Sequence, residues 1–429
     1  MNNICRTRVL SALISTLQTT KNKLGKVYFS SRSTFKLTNT NLNQIHVLRQ
    51  SSTGFSAVKD QLCAQHEDYL ELPVESAVPL KIPYVWLRDH CRCSECYNQK
   101  TNQRLFDSFV IDVDEAPVSV ESYDDKIKLT WKDTHVTTYN LSWLKQNSPG
   151  SNLQDSVKKV LWNGEKIQKE MPDDVPYKDF MNNDESLKEV LMNIHKYGFG
   201  IVGECPPTEE KTVELSERIG HVRPTFFGKS WGFTDNEVFD DTAYTSDAIG
   251  PHNDNTYLLE ASGIQVFHIL HHDGEGGENL LVDGFNAASI LKLKHPDYYE
   301  ALARIPIRAE YIGDGHEVIS IINLIQENKI TKEIDAFRYN PFDRALLSHT
   351  SFEDTKLFYK ALKALSAEIN SPLNELRMKL TPGRVLFVDN WRVLHGRNSF
   401  NGSRVLAGCY LPKDQLNSRL RTIAGLNIY

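Results

Sequence analysis

The chain has 429 residues, 40% hydrophobic and 24% charged, with a formal net charge of −6 from 49 Lys+Arg and 55 Asp+Glu. That length predicts two or three domains, and the composition excludes a disordered or collagen-like chain. No run approaches about 18 uninterrupted apolar residues, which argues against a spanning helix, and an acidic total argues against a nucleic-acid partner.

The total hides a split. From Met1 to Lys59 there is no Asp or Glu, but there are nine basic residues: Arg6, Arg8, Lys21, Lys23, Lys26, Arg32, Lys36, Arg49 and Lys59. The rest of the chain therefore carries 40 basic against 55 acidic residues, a net −15. A Ser-, Thr- and Arg-rich stretch without acids has the composition of a mitochondrial transit peptide. Leu10, Leu13, Ile14 and Leu17 fall at i, i+3, i+4 and i+7, one apolar helical face, with Arg8, Ser11, Ser15 and Gln18 away from it. The alternative is a basic arm on a cytosolic protein. Residues 1–50 are read as the leader, and the expected location is the mitochondrial matrix. The seven cysteines are odd in number and three of them cluster, so in a reducing matrix they point to metal rather than to disulfides.

Two globular regions follow. Residues 58–150 read as short strands and turns. Lys126–Trp131 and His135–Tyr139 form a hairpin around Lys132–Thr134, and Leu141–Lys145 adds a turn of helix. Residues 146–155 (QNSPGSNLQD) are a polar, Pro/Gly-containing linker. Residues 161–429 mix helices and strands. Leu187, Val190, Leu191 and Ile194 give a helical face after Asp184, with Gly198 as the stop. Thr208–Ile219 is a second helix. Strands are predicted at Gly263–Leu270, Leu280–Asp283, Arg384–Val388 and Arg404–Tyr410, with helices near Ala287–Leu293 and Thr355–Asn370. Many short strands with Gly/Asn turns suggest a jelly-roll barrel with added helices. No phosphate loop of Walker or Rossmann type is present.

The strongest chemical constellation is His252-Asn253-Asp254 with His395 far downstream. Side chains at i and i+2 of an extended segment point to one side. Two His and one carboxylate form a facial triad for non-haem Fe(II), with three positions open. A 2-oxo acid fills two of them and O₂ the third. Arg404, nine residues after His395 on the next predicted strand, would return by a hairpin to hold the cosubstrate's distal carboxylate. The plain alternative makes His252 a loop residue and Asp254 a turn former. His268, His271 and His272 form a rival cluster, but strand alternation puts His268 opposite His271, so they are read as structural. Cys91, Cys93 and Cys96 offer three thiolates within six residues, and Zn²⁺ takes four N/S ligands, so a fourth is expected from another strand. The alternative is a reduced Cys-rich turn.

Five blocks carry a resemblance: 84–98 (YVWLRDHCRCSECYN), 241–245 (DTAYT), 263–268 (GIQVFH), 280–285 (LLVDGF) and 382–397 (PGRVLFVDNWRVLHGR). At these residues the chain resembles the Fe(II)/2-oxoglutarate oxygenases of carnitine biosynthesis, the trimethyllysine and γ-butyrobetaine dioxygenase family. The resemblance implies a double-stranded β-helix core, mixed α and β but mainly β, after a small β-rich zinc domain. It implies iron on His252, Asp254 and His395, and 2-oxoglutarate on Arg404. Where the family often has Thr near the cosubstrate, this chain has Asn279. It implies ascorbate as reductant, zinc on Cys91, Cys93, Cys96 and His135, and a homodimer.

The implied substrate cage is Phe227, Trp231, Tyr244 and Tyr410; the family commonly has Tyr where Phe227 stands. A quaternary ammonium has no N–H to donate and is held by aromatic faces, at about 0.5–2 kcal/mol each. Asp241 would lie at the far end of the pocket. An acid there attracts the α-ammonium of trimethyllysine and repels the bare carboxylate of γ-butyrobetaine; the resemblance implies an amide at that place in the butyrobetaine enzymes. Asn340 would assist with the substrate carboxylate. With the leader, this predicts hydroxylation of Nε-trimethyllysine at C3, releasing succinate and CO₂; the alternative is γ-butyrobetaine hydroxylation to carnitine. Rivals of other classes are a non-catalytic reader of methylated ammonium and a zinc-stabilised interaction protein.

Overall fold

Ten strands of the second region are dealt between two largely antiparallel sheets, the pattern of a jelly roll. One sheet has six strands in the order Trp231–Phe233, Arg404–Leu411, Ile264–His272, Val385–Asp389, Phe199–Gly203, Val175–Pro176. The other has four, Ile249–His252, Val393–Arg397, Asn279–Asp283, Glu375–Met378. Only the Val175–Pro176 pairing is parallel in these two sheets. This computed structural model describes residues 62–74, 78–151, 155–233, 245–313 and 315–428. The basic leader, Asp241 and Tyr244 lie outside the described residues. Among the described residues no helix is long and apolar enough to cross a membrane.

Three layers of apolar contact hold the barrel. Phe199, Ile201, Phe267, Leu386 and Leu406 of the six-stranded sheet share a core with Leu281, Leu376, Met378 and Val393 of the four-stranded one. The outer face of the larger sheet (Val202, Ile264, Val266, Val385, Phe387) is covered by Leu187, Val190, Leu191 and Ile194. Those four sit on the helix Asp184–Tyr197, at the 3.6-residue spacing that makes one face. The outer face of the smaller sheet (Val282, Leu394) packs on the helices Gly284–Lys294, Pro296–Arg304 and Phe352–Ile369. Each Leu or Phe fully buried in these layers contributes about 1.5–3 kcal/mol.

Asn183 caps the first of these helices by accepting from Glu185 N, and Gly198 ends it at φ +82°. A Cβ on Gly198 would also lie 2.4 Å from Val393 Cγ2, on the strand that carries His395. Only glycine meets both demands.

The chain from Leu62 onward packs as one compact unit, yet its first part keeps its own core of Leu70, Leu72, Ile82, Leu87, Ile127, Leu129, Trp131, Tyr139 and Leu144. The predicted hairpin is there, as Lys126–Thr130 against Val136–Asn140, followed by the helix Leu141–Asn147. Ile127 and Leu129 point inward while Lys126 and Lys128 do not, the two-residue period of a half-buried strand.

His268 is fully buried, and its Nδ1 lies 2.8 Å from Thr212 Oγ1. Thr212 Oγ1 donates its own proton to Thr208 O, so His268 Nδ1 is the donor in that bond. Burial pushes the imidazole down to about 4. An unfolded chain takes up this proton below about pH 6.5, and the folded one only near 4, so stability falls across that window as pH drops. The free energy of unfolding is expected to fall between pH 7 and pH 5 by about 2 kcal/mol on account of this residue, read as a lower denaturant midpoint. A His268→Gln variant, compared at both pH values, should lose that part of the pH dependence.

Candidate active site and metal centres

His252 closes the strand Ile249–His252, and its Cα partner across the ladder is His395. Register thus sets the two imidazoles side by side, with ring centroids 4.4 Å apart. Asp254 does not continue the strand; it sits in the turn just after it. Two asparagines fix that turn. Asn253 is buried, donates to Asn390 O and Val393 O, and accepts from Tyr339 N. Asn390 accepts from Asp254 N and donates to Asp254 O, clamping the ligand's backbone from both ends.

Asp254 Oδ1 lies 3.2 Å from His252 Nε2 and 3.5 Å from His395 Nε2. Metal bonds of about 2.1 Å at right angles put neighbouring donor atoms about 3.0 Å apart. The three donors therefore fit one face of an octahedral ion. His252 Nδ1 is 2.8 Å from Gly250 O, which places the proton on Nδ1 and leaves the Nε2 lone pair for a metal. The electrostatics agree. Burial alone would lower His252, but the Asp254 carboxylate and the Gly250 carbonyl outweigh it and raise it. Burial and the neighbouring His252 push His395 down. Burial would raise Asp254, yet His395 and His252 hold it well below the usual carboxylate range. An ionised carboxylate between two imidazoles attracts a dication.

The triad opens into a pocket between the two sheets. Trp231, Phe267, Leu406 and Tyr410 form its apolar wall; Asn279, Arg397 and Arg404 form a polar one. Trp231 lies 5.6 Å from the Tyr410 ring and 6.0 Å from Phe267. Gly408 makes room for it: a Cβ there would meet the indole at 2.1 Å. Burial and the nearby Arg397 push the Arg404 guanidinium down to about 10. Two buried guanidiniums in one wall favour an anion opposite them. Asn279, the Cα partner of Arg397, leaves one buried amide end without a hydrogen-bond partner among the described residues. Amide ends interchange by a flip, so a carboxylate can complete it.

Arg404 reaches this wall by a route the sequence did not suggest. The strands Val393–Arg397 and Arg404–Leu411 are not a hairpin. They belong to different sheets, and Arg404 pairs with His272. In the rival histidine cluster a bulge between Ile269 and His271 leaves His268 buried and His271 exposed beside Asp273.

A second cluster lies in the first part of the chain. His135 Nε2 is 3.3 Å from Cys91 Sγ, 3.6 Å from Cys93 Sγ and 3.5 Å from Cys96 Sγ. Zinc bonds of about 2.3 Å to sulfur and about 2.0 Å to nitrogen, at the tetrahedral angle, put those atoms about 3.5 Å apart. The four residues fit zinc. The Glu95 carboxylate stands 3.5 Å from His135 Nδ1, where it fixes the tautomer that leaves Nε2 to the metal. Burial and the Cys91 thiol push Cys96 up to about 12, so three thiolates coexist only around a cation. The purified full-length protein is expected to carry about one zinc per chain. His135→Ala should release it and lower the melting temperature; zinc-free protein with an unchanged melting curve would end this reading.

The profile of the taurine catabolism dioxygenase TauD, TfdA family matches residues 161–410. The γ-butyrobetaine hydroxylase-like N-terminal profile matches residues 63–145. The mitochondrial trimethyllysine dioxygenase of Mus musculus is 43% identical over 367 residues, 84% of this chain and 86% of its own length. That of Homo sapiens is 42% identical over 375 residues, 86% and 89% respectively. The trimethyllysine dioxygenase of Meyerozyma guilliermondii is 35% identical over 373 residues, 83% and 94%.

The chain belongs to the TauD/TfdA dioxygenase family.

It is thus an Fe(II)/2-oxoglutarate-dependent dioxygenase, and the donor geometry suits that iron. Of the dioxygenase's four expected cage rings, the structure brings Trp231 and Tyr410 together in the pocket wall. Phe227 is half-buried against Phe226, at 4.4 Å, and Tyr311, at 5.7 Å, rather than in that wall. Asn340 is not in the wall either. Its Nδ2 donates to Asn253 O and Asp343 Oδ2, and its Oδ1 accepts from Phe342 N and Asp343 N. Those bonds occupy the amide in holding the turn behind the triad. The sequence reading gave no role to Gln265, Asn253, Asn390 or Arg397. A polar residue between two ligands, as in HND, and the amide in DNW were the available signals.

Proposed function

We propose that this protein hydroxylates Nε-trimethyllysine at C3, the first step of carnitine biosynthesis. Trimethyllysine, O₂ and 2-oxoglutarate give hydroxytrimethyllysine, succinate and CO₂. One oxygen atom enters the substrate and the other enters succinate. The observation that carries this reading is the triad at the floor of a pocket with an aromatic wall and a cationic wall, in a chain similar over most of its length to trimethyllysine dioxygenases. Iron, kept reduced by ascorbate, supplies the oxygen activation when bound to His252, Asp254 and His395.

The remaining steps fall to side chains. Arg404 binds the distal carboxylate of 2-oxoglutarate, and Asn279 adds a hydrogen bond. Trp231 and Tyr410, joined by Tyr244, hold the quaternary ammonium by their ring faces. Asp241 attracts the α-ammonium, and Asn340 assists at the carboxylate by way of the turn it holds. Filling the pocket excludes water before the C–H bond is attacked. In this reading residues 1–50 are a transit peptide and the enzyme works in the mitochondrial matrix, as a homodimer. Residues 58–150 are a zinc-stapled domain and 161–429 the oxygenase domain; the two profile matches support that division.

The test is incubation with Fe(II), ascorbate, 2-oxoglutarate and either trimethyllysine or γ-butyrobetaine, followed by measurement of succinate and hydroxylated product. Product from trimethyllysine is expected; product from γ-butyrobetaine alone would reverse the assignment. Asp241→Asn is expected to raise KM for trimethyllysine about tenfold, as losing an ion pair of about 1.4 kcal/mol does, and to leave any turnover of γ-butyrobetaine less affected.

A further inference from the structure

The two oxygens of Asp254 have different surroundings. Oδ1 faces both imidazoles. Oδ2 accepts from Gln265 Nε2 at 2.5 Å and from the Tyr410 hydroxyl at 2.9 Å. Gln265 is 2% exposed and Tyr410 6%. They stand on neighbouring strands of the six-stranded sheet and are Cα partners of one another, so register alone sets both donors over one oxygen. Only the NH₂ end of a glutamine can donate, which fixes the Gln265 amide. Its Oε1 then faces away, buried and without a partner among the described residues. A Met or Leu would fill this place without stranding a carbonyl. The bond to Asp254 is what an amide contributes here.

We propose that Gln265 and Tyr410 form a two-donor clamp that confines Asp254 to binding the metal through Oδ1 alone. The proposal rests on the iron-site reading above. A carboxylate free to rock binds through both oxygens and takes a fourth of six positions. Held by one oxygen, it leaves three adjoining positions, two for 2-oxoglutarate and one for O₂. Gln265 and Tyr410 are positioning residues in this role. Tyr410 thereby joins the substrate wall to the metal, since the ring that faces Trp231 carries the hydroxyl that holds Asp254.

The test uses the full chain loaded anaerobically with Co(II) in place of iron, as parent, Gln265→Met, Tyr410→Phe and the double variant. Metal affinity comes from titration, and coordination number from the cobalt visible spectrum with and without 2-oxoglutarate. Iron-loaded samples give the ratio of succinate to hydroxylated product. Each single change is expected to weaken Co(II) binding about 10–100-fold, to shift the cobalt spectrum, and to raise succinate above product. Parent-like affinity and spectrum in both single variants overturn the clamp. Tyr410→Phe keeps the ring and decides the matter should Gln265→Met not fold. His252→Ala is the reference. If it binds Co(II) as the parent does, the iron-site reading itself fails. If it loses Co(II) while the clamp variants keep it, only the clamp fails.

Discussion

His252→Ala is expected to abolish hydroxylation while the protein stays folded. The imidazole supplies one of three metal donors, and its Nε2 is aligned by the Nδ1 bond to Gly250 O at 2.8 Å. Losing a residue one layer outside a metal costs about 10–100-fold. Losing a ligand should cost more, at least about 10³-fold in turnover, with metal retention lost as well. The fold tolerates it for a local reason. His252 lies at the end of a short strand, and its ring contacts are with His395 and Phe342 rather than with the apolar core. The change also removes a partner from Asp254, so in metal-free protein the carboxylate should be held less far below its usual range. Metal content, turnover and melting temperature measured together separate these effects. Turnover near the parent level removes His252 from the metal site.

How much of this was legible depends on whether the determinant is local. The helix Asp184–Tyr197 was readable because four apolar residues and a left-handed Gly198 lie within one short window. The central strands were readable as apolar runs between turns, and they appear as Ile264–His272, Asn279–Asp283, Val385–Asp389 and Arg404–Leu411. The zinc thiolates are local too, three within six residues. What the window could not contain is register. The strands around His395 and Arg404 are separated by a short turn and read as a hairpin, but each finds a better-matched neighbour in a different sheet. The same ignorance hid Gln265, whose function comes from standing opposite Tyr410 and beneath Asp254. The helix Pro296–Arg304 and the ribbon Pro306–Gly313/His316–Asn323 also escaped. The ribbon exposes Ile312 and Ile321, so its apolar residues do not mark a single buried face. Asn340 was read for its chemistry, and its neighbours in the turn had already used that chemistry.

Asp283→Ala is expected to be the most destabilising single change near the site. Asp283 and Arg392 are fully buried and paired twice, Nη2 to Oδ2 at 2.8 Å and Nε to Oδ1 at 3.1 Å. The guanidinium also donates to the carbonyls of Lys196 and Val160. The carboxylate accepts from Trp162 N and, at the head of the helix Gly284–Lys294, from Phe285 N and Asn286 N. One pair therefore ties the C-terminal end of the helix Asp184–Tyr197 and the N-terminal end of the helix Gly284–Lys294 to the strand that carries His395. Removing the carboxylate strands a buried guanidinium, which costs about 3–5 kcal/mol, and removes a helix cap of about 1 kcal/mol. Against a typical stability of 5–15 kcal/mol that is a large fraction. Asp283→Asn keeps the cap and loses the charge, so its loss should be smaller, and the difference measures the ion pair. A double variant, Asp283→Ala with Arg392→Met, should recover part of the stability, because the stranded charge is gone. It should not recover full turnover, since the backbone ladder alone then holds Val393, the Cα partner of residue 283, in the register that brings His395 to Asp254. Denaturant midpoints and metal affinity of the three variants check both halves; equal stability for Asp283→Ala and the double variant would remove the buried charge from the explanation.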